Sequence, residues 1–92
     1  MSKVTLNGVL TCAPEDIEIV LSALPEHLRL TRDEPGCICF EVEQLPASPC
    51  VFEVRECFAD QAAFEAHQLR TRASRWWRLT SHMPRDFSIG SQ

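Results

Sequence analysis

The chain has 92 residues and a formal net charge of −4. A single domain of that length buries only about 60–65% of its unfolded surface, so its own core is thin. The acidic balance argues against nucleic acid as a partner. No apolar run nears the ~18 residues of a membrane span, and with acids inside the one apolar N-terminal run no secretory signal is expected.

Lys3–Cys12 alternates like a strand, with Val4, Leu6, Leu10 and Cys12 on one face and Thr5, Asn7, Val9 and Thr11 on the other. Gly8 inside it suggests a close approach of another strand, or a bulge. Ile17, Val20, Leu21, Leu24 and Leu28 then recur at helical spacing. Pro14, Glu15 and Asp16 suit the helix start. Pro25 predicts a kink or a division, and Asp33-Glu34-Pro35-Gly36 reads as a stop. Cys37–Gln44 and Cys50–Phe58 read as two strands joined by a hairpin-like connection through Pro46 and Pro49. Asp60 is placed to cap a helix that begins at Gln61. The helical pattern runs to about Met83, as one bent helix or two, with Leu69, Ala73, Trp76 and Thr80 along one stripe and Pro84 ending it. Arg85–Ile89 is a short last strand.

The order β-α-β-β-α-β predicts an α+β, ferredoxin-like fold in which two helices cover one face of a four-stranded antiparallel sheet. Residues 1–92 form one domain in this reading. The bare sheet face asks for a partner, and a homodimer follows as a physical expectation.

The cysteines are Cys12, Cys37, Cys39, Cys50 and Cys57, an odd count with four in strand-like stretches. That pattern fits reduced thiols in a cytoplasmic protein better than a disulfide framework. Cys37 and Cys39 should share one strand face, with no second pair at zinc spacing, so no metal is expected. Arg70, Arg72, Arg75, Arg78 and Arg85 fall in a stretch free of acids between Glu65 and Asp86, with Trp76 and Trp77 among them. A solvated helix face with tryptophan packed beneath it accounts for this stretch.

Two quoted stretches carry a resemblance. Glu34-Pro35-Gly36-Cys37 followed by Phe40, and Glu56, Phe58, Asp60, Ala63, Phe64 and His67 in the spacing E-x-F-x-D-x-x-A-F-x-x-H, resemble the antibiotic biosynthesis monooxygenase family. Arg70, Ser74 and Trp76 look like the continuation seen in its quinol monooxygenase branch. Many members carry tryptophan where this chain has Phe58. The resemblance covers almost the whole chain. It implies a dimeric α/β barrel, and an oxidation of phenolic or hydroquinone substrates by O2 without a cofactor. The family's haem-degrading branch pairs a first-strand asparagine with a middle-helix tryptophan and a later histidine. Here Asn7 fits, but His67 and Trp77 stand in the reverse order, so haem is not expected.

Cofactor-free oxygenation needs a base, a dry pocket and a group to hold the oxyanion. His67, on the helix face that meets the sheet, is the candidate base. Glu56 alternates with Phe52, Val54 and Phe58, which favours burial, and can orient His67 or raise its pKa. The same pair can instead be a structural tie between strand and helix, and the sequence leaves both open. Asn7 is the candidate amide donor to a substrate oxygen, a role that resembles that of the family's first-strand asparagines. Trp76, Phe58 and Phe64 are candidate flat or apolar walls for an aromatic ring, or ordinary core. Arg70 either steers an anionic substrate or pairs with an acid. His27 and His82, among polar neighbours, read as exposed. A cofactor-independent monooxygenase of quinols or polycyclic phenols is one reading. A non-catalytic small-ligand-binding or structural dimeric domain is the other.

Overall fold

The computed structural model describes residues 2–91. β1 (Val4–Thr11) lies beside β3 (Ser48–Phe58) at the centre of a four-stranded sheet, with β2 (Cys37–Leu45) and β4 (Arg85–Ser91) at its edges, in the order β2-β3-β1-β4. All three pairings are antiparallel. Two helices, α1 (Ile17–Arg32) and α2 (Gln61–Arg72), and a short third, α3 (Arg75–Thr80), pack against the sheet. The fold is the ferredoxin-like α+β arrangement expected from the order of elements.

Directly opposed residues of antiparallel strands share a face. Leu6 opposes Glu56 and Ile89, Glu56 opposes Phe40, and Leu10 opposes Phe52. This set lies on the helix side. Asn7 opposes Arg55, and Val9 opposes Glu53 and Asp86, on the other face. Gly8 is where β4 comes closest. A Cβ there would overlap the Asp86 carbonyl oxygen and come within 2.8 Å of Phe87 Cα, so only glycine fits.

Three local features differ from the sequence pattern. A bulge between Cys37 and Cys39 puts Cys37 opposite Phe58 and Cys39 opposite Cys57. The two thiols therefore lie on opposite faces rather than on one, and Ile38, expected beside Phe40, is 51% exposed. In α1 the buried stripe is Val20, Ala23, Leu24, His27 and Thr31, rotated away from Leu21, which is 40% exposed. The helix runs through Pro25 undivided. Pro25 and Leu21 sit on the solvent side, where water can serve the carbonyl that the proline leaves without a donor.

The second helical region is two helices. Asp60 caps α2 by accepting from the Ala63 amide at 2.8 Å. Ser74, in extended conformation, accepts from the Trp77 amide at 3.2 Å and caps α3 afresh. The break rephases the helical face. Trp76 and Thr80 are buried while Leu69 is 73% exposed, so the continuous stripe from Leu69 through Ala73 is not formed.

The core is split. One cluster centres on Leu10, Val20, Leu24, Phe52, Trp76 and Met83, and a second on Val4, Leu6, Val54, Phe58 and Phe64. Between them, buried against the sheet, lie His27, Glu56, His67 and Thr71.

Candidate active site

A pocket of ≈ 180 Å³ opens between the sheet and the helices, walled by members of both core clusters. Leu6, Leu10, Phe40, Val54 and Trp76 make its apolar surface. His27, Glu56, His67 and Thr71 supply the buried polar atoms. Gln68, Arg72, Trp77, Arg85 and Phe87, each exposed or half-buried, form its open side between α2, α3 and β4.

His67 is 3% exposed and comes from the inner face of α2. Its Nδ1 lies 2.9 Å from Oε1 of Glu34, in the turn after α1. Burial lowers the His67 pKa, outweighing the opposing pull of the Glu34 charge. A neutral imidazole facing a carboxylate donates its Nδ1 proton to it, which leaves Nε2 as a lone-pair acceptor. Nε2 has only weak company, Thr71 Oγ1 at 3.4 Å and Glu56 Oε1 at 3.7 Å. Phe58 stacks beneath the ring with centroids 4.8 Å apart, and Phe40 meets it edge-on at 5.5 Å. The imidazole of this pocket-lining residue is thus fixed in tautomer and in plane, with its Nε2 side only weakly engaged.

Glu56 is 8% exposed, and its Oε1 has no hydrogen-bond partner. Burial foremost, and then the Glu34 charge, pushes its pKa up to about 8. Near neutral pH it is a carboxylic acid, able to donate as well as accept. His27 carries the second orphaned atom, Nδ1. Its ring stacks on Trp76 at 4.7 Å with an interplanar angle of 3°. Burial, followed by the charges of His67, Arg70 and Arg85, lowers its pKa to about 3. Two buried polar atoms without partners, one from the sheet and one from α1, line the same pocket and are available to a polar ligand.

The sequence candidates divide. His67, Glu56 and Trp76 come together on the pocket. Phe58 and Phe64 sit behind it, Phe58 supporting His67 and Phe64 packing on Phe58 at 5.8 Å. Arg70 does not face the pocket; it pairs with Glu34 through Nε and donates to Thr31 Oγ1 at 2.9 Å. Asn7 is exposed on the opposite face of the sheet, because its register with Arg55 turns it away from the helices. It cannot serve this pocket. His27 corrects a second expectation: it is 4% exposed, because it lies on the buried stripe of α1 with Leu24 and Thr31. His82 is exposed and pairs with Asp16. Glu34 escapes a functional reading of the sequence, since its place in the stop signal already explains it. Among the described residues no group of three His, Cys, Asp or Glu side chains is arranged to hold a metal.

The family model for antibiotic biosynthesis monooxygenases matches residues 3–78, most of the chain and all of this pocket except Arg85 and Phe87. The chain belongs to that family. A solved antibiotic biosynthesis monooxygenase is similar at 28% identity and a TM-score of 0.71, over 100% of this chain and 96% of that one. A candidate antibiotic biosynthesis monooxygenase from Nitrosomonas europaea superposes at a TM-score of 0.80 with 19% identity, over 99% and 89%. A conserved Bacteroides thetaiotaomicron protein of unknown function superposes equally well, at 0.80 with 16% identity, over 99% and 98%. At such low identities the last two show the shared fold. No protein of curated function matches this antibiotic biosynthesis monooxygenase family member.

Proposed function

We propose that the chain is a cofactor-independent monooxygenase that oxidises small quinols or phenols with O2, working as one domain and as a homodimer in the cytoplasm. The observation that carries the reading is His67, its ring oriented by Glu34 and its Nε2 only weakly engaged by Thr71, on a pocket walled mainly by apolar side chains. Family membership supports the reaction class. The unbridged cysteines support a reducing compartment, and no helix is long and apolar enough to cross a membrane among the described residues.

His67 Nε2 takes the hydroxyl proton of the substrate, and neutral Glu56 donates a hydrogen bond to a neighbouring oxygen. The resulting anion gives one electron to O2; the radical pair combines at a ring carbon, and the peroxide loses water. For a hydroquinone the sum is quinol plus O2 to hydroxyquinone plus water. The quinol supplies all four electrons, so no outside reductant is needed. A pocket of ≈ 180 Å³ exceeds the ~150 Å³ that holds one benzene but falls below the roughly 300–1,000 Å³ of drug-sized sites. One or two fused rings suit it better than larger polycyclic phenols.

The test is O2 uptake with reduced naphthoquinone and with benzohydroquinone, corrected for uncatalysed oxidation. Uptake is expected with wild type and lost in His67→Ala, whose fold is checked by circular dichroism. Full turnover in that variant removes His67 from the mechanism. Binding of the quinol without any O2 uptake would make the chain a ligand-binding domain instead.

A further inference from the structure

The charge at the mouth of the pocket is opposite in sign to that of the molecule. The chain carries −4 overall, yet the formal charges on the open side of the pocket are Arg72, at the end of α2, and Arg85, at the start of β4. Glu56, His27 and His67 deeper in the wall are uncharged near neutral pH. Arg75 and Arg78 add exposed positive charge on α3, in a stretch of sequence with no acid between Glu65 and Asp86.

The two mouth arginines are differently prepared. Arg85 is fixed: it donates to the carbonyl oxygens of Thr80 at 2.8 Å and Met83 at 3.1 Å and to Thr80 Oγ1 at 2.8 Å, and its guanidinium lies 4.9 Å from the Trp77 ring centroid. Arg72 is exposed. Among the described residues the arginines paired with acids are Arg32, Arg55 and Arg70, and Arg72 is not one of them. Arg70, two residues earlier on α2, is engaged by Glu34 and Thr31. An apolar pocket with a cationic rim focuses the field onto an entering anion, and a guanidinium matches a carboxylate with paired hydrogen bonds.

We propose that the natural ligand of this pocket is a hydroxylated aromatic acid, its hydroxyl end seated at His67 and Glu56 and its carboxylate held at the rim by Arg72 and Arg85. The proposal rests on the reading of this pocket as the substrate site, and it narrows the substrate from any small quinol to an anionic one. Arg72 is then a specificity-determining residue: it closes on the carboxylate, while Arg85 presents a preset cation.

The experiment is anaerobic binding of 2,5-dihydroxybenzoate and of its methyl ester, which has the same ring and hydroxyls without the charge. Trp76 and Trp77 are the two tryptophans of the chain and both line the pocket, so quenching of their emission reports occupancy; calorimetry checks it. The acid is expected to bind at least tenfold more tightly than the ester at low salt, with the advantage shrinking as salt rises. Arg72→Gln should remove at least threefold of that advantage and leave ester binding unchanged. Arg29→Gln, the same charge change on exposed α1 away from the pocket, should leave the advantage intact. Equal affinity for acid and ester, equal weakening of both by Arg72→Gln, or no binding of either would overturn the proposal. Oxygen has no part in the measurement, so a failure to consume O2 sinks the monooxygenase reading and leaves this one standing.

Discussion

Glu34 Oε1 lies 2.9 Å from His67 Nδ1, and the second oxygen of the same carboxylate takes Arg70 Nε. The acid comes from the turn after α1, and the histidine and arginine from α2. One carboxylate therefore ties two helices together and chooses the tautomer that aims His67 Nε2 at the pocket. Gly36, two residues on, adopts a φ of 87°, and this left-handed turn lets the chain reverse into β2 directly after Glu34.

Glu34→Gln should separate orientation from acidity. The amide oxygen can still accept from Nδ1, but the negative charge that raises the His67 pKa is gone. The pKa then falls further, and the acid limb of kcat/KM moves to lower pH. Turnover is expected to drop about 10–100-fold, the usual effect of losing such a supporting partner. Quinol affinity should hold. A purely structural tie would change Tm and leave the position of the acid limb where it was, so the pH profile is the deciding measurement.

Glu56 makes stability depend on pH in an unusual direction. Its folded pKa of about 8 stands above the ordinary 4.5 of a free side chain. Between those values the folded state holds a proton that the unfolded chain has released. Its contribution is complete below 4.5 and is lost as pH rises through 8. Glu56→Gln removes this slope. At low pH the variant should match wild type. By pH 8 it should be more stable, by on the order of 4 kcal/mol, since every pH unit between the two values counts for ~1.4 kcal/mol. Urea denaturation at a series of pH values measures it, and parallel curves across the range would refute a buried neutral acid.

His27 acts with the opposite sign. Its folded pKa of about 3 lies below the ordinary 6.5, so its contribution is present above 6.5 and lost as pH falls towards 3. Between 4.5 and 6.5 the slopes of Glu56 and His27 oppose each other. Wild-type stability should vary less steeply there than either slope alone would give, with the lowered His67 pKa adding a rise of the same sign as that of His27. His27→Leu should unmask the Glu56 slope in that window, and Glu56→Gln the His27 slope. The same urea series on the two variants tests the pairing, and a double variant should lose both slopes.

Gly8 tests the packing that holds β4 and, with it, Arg85 and Phe87. Gly8→Ala places a Cβ against the backbone of Asp86 and Phe87, which cannot yield as a flexible side chain would. A loss of about 3 kcal/mol is expected, at the upper end of overpacking costs. Hydrogen exchange should show β4 loosening first. An unchanged Tm would mean that β1 and β4 leave room for a methyl group at this point.

The fold is readable because most strands and helices keep their period. Val4, Leu6 and Leu10 face inward as their alternation predicts, and Asp60 caps α2 as its side chain predicts. The departures share a cause: a local shift in phase that no period reveals. The bulge at Cys37–Cys39 turns Ile38 out, and the Ser74 cap rephases α3 so that Leu69 no longer shares a stripe with Trp76. His27 is hidden by its type. Its spacing from Val20, Leu24 and Thr31 is helical, but a histidine next to Glu26 reads as surface. Glu34 is hidden by distance, since nothing in the sequence says that the turn after α1 meets α2. Asn7 fails for a simpler reason. It follows Leu6, and once Leu6 faces the helices, strand alternation sends Asn7 to the other side.

That other side bears on the proposed homodimer. Glu43, Glu53, Val9 and Asp86 lie in one row across the sheet, with Cys39, Cys57 and Thr5 in another. Arg55 reaches both Glu43 and Glu53, leaving the row acidic. If two copies meet through this face, like charges oppose the contact and the apolar part supports it, so association should strengthen as salt rises. Sedimentation velocity at micromolar concentration is expected to show a dimer whose dissociation constant falls between low and physiological salt. Val9→Asp adds another acid beside Glu53 and Asp86 and should weaken the dimer at least tenfold without unfolding the monomer. A wild-type chain that sediments as a monomer at every salt concentration would leave the pocket intact but remove the homodimer, because the pocket is lined within a single copy.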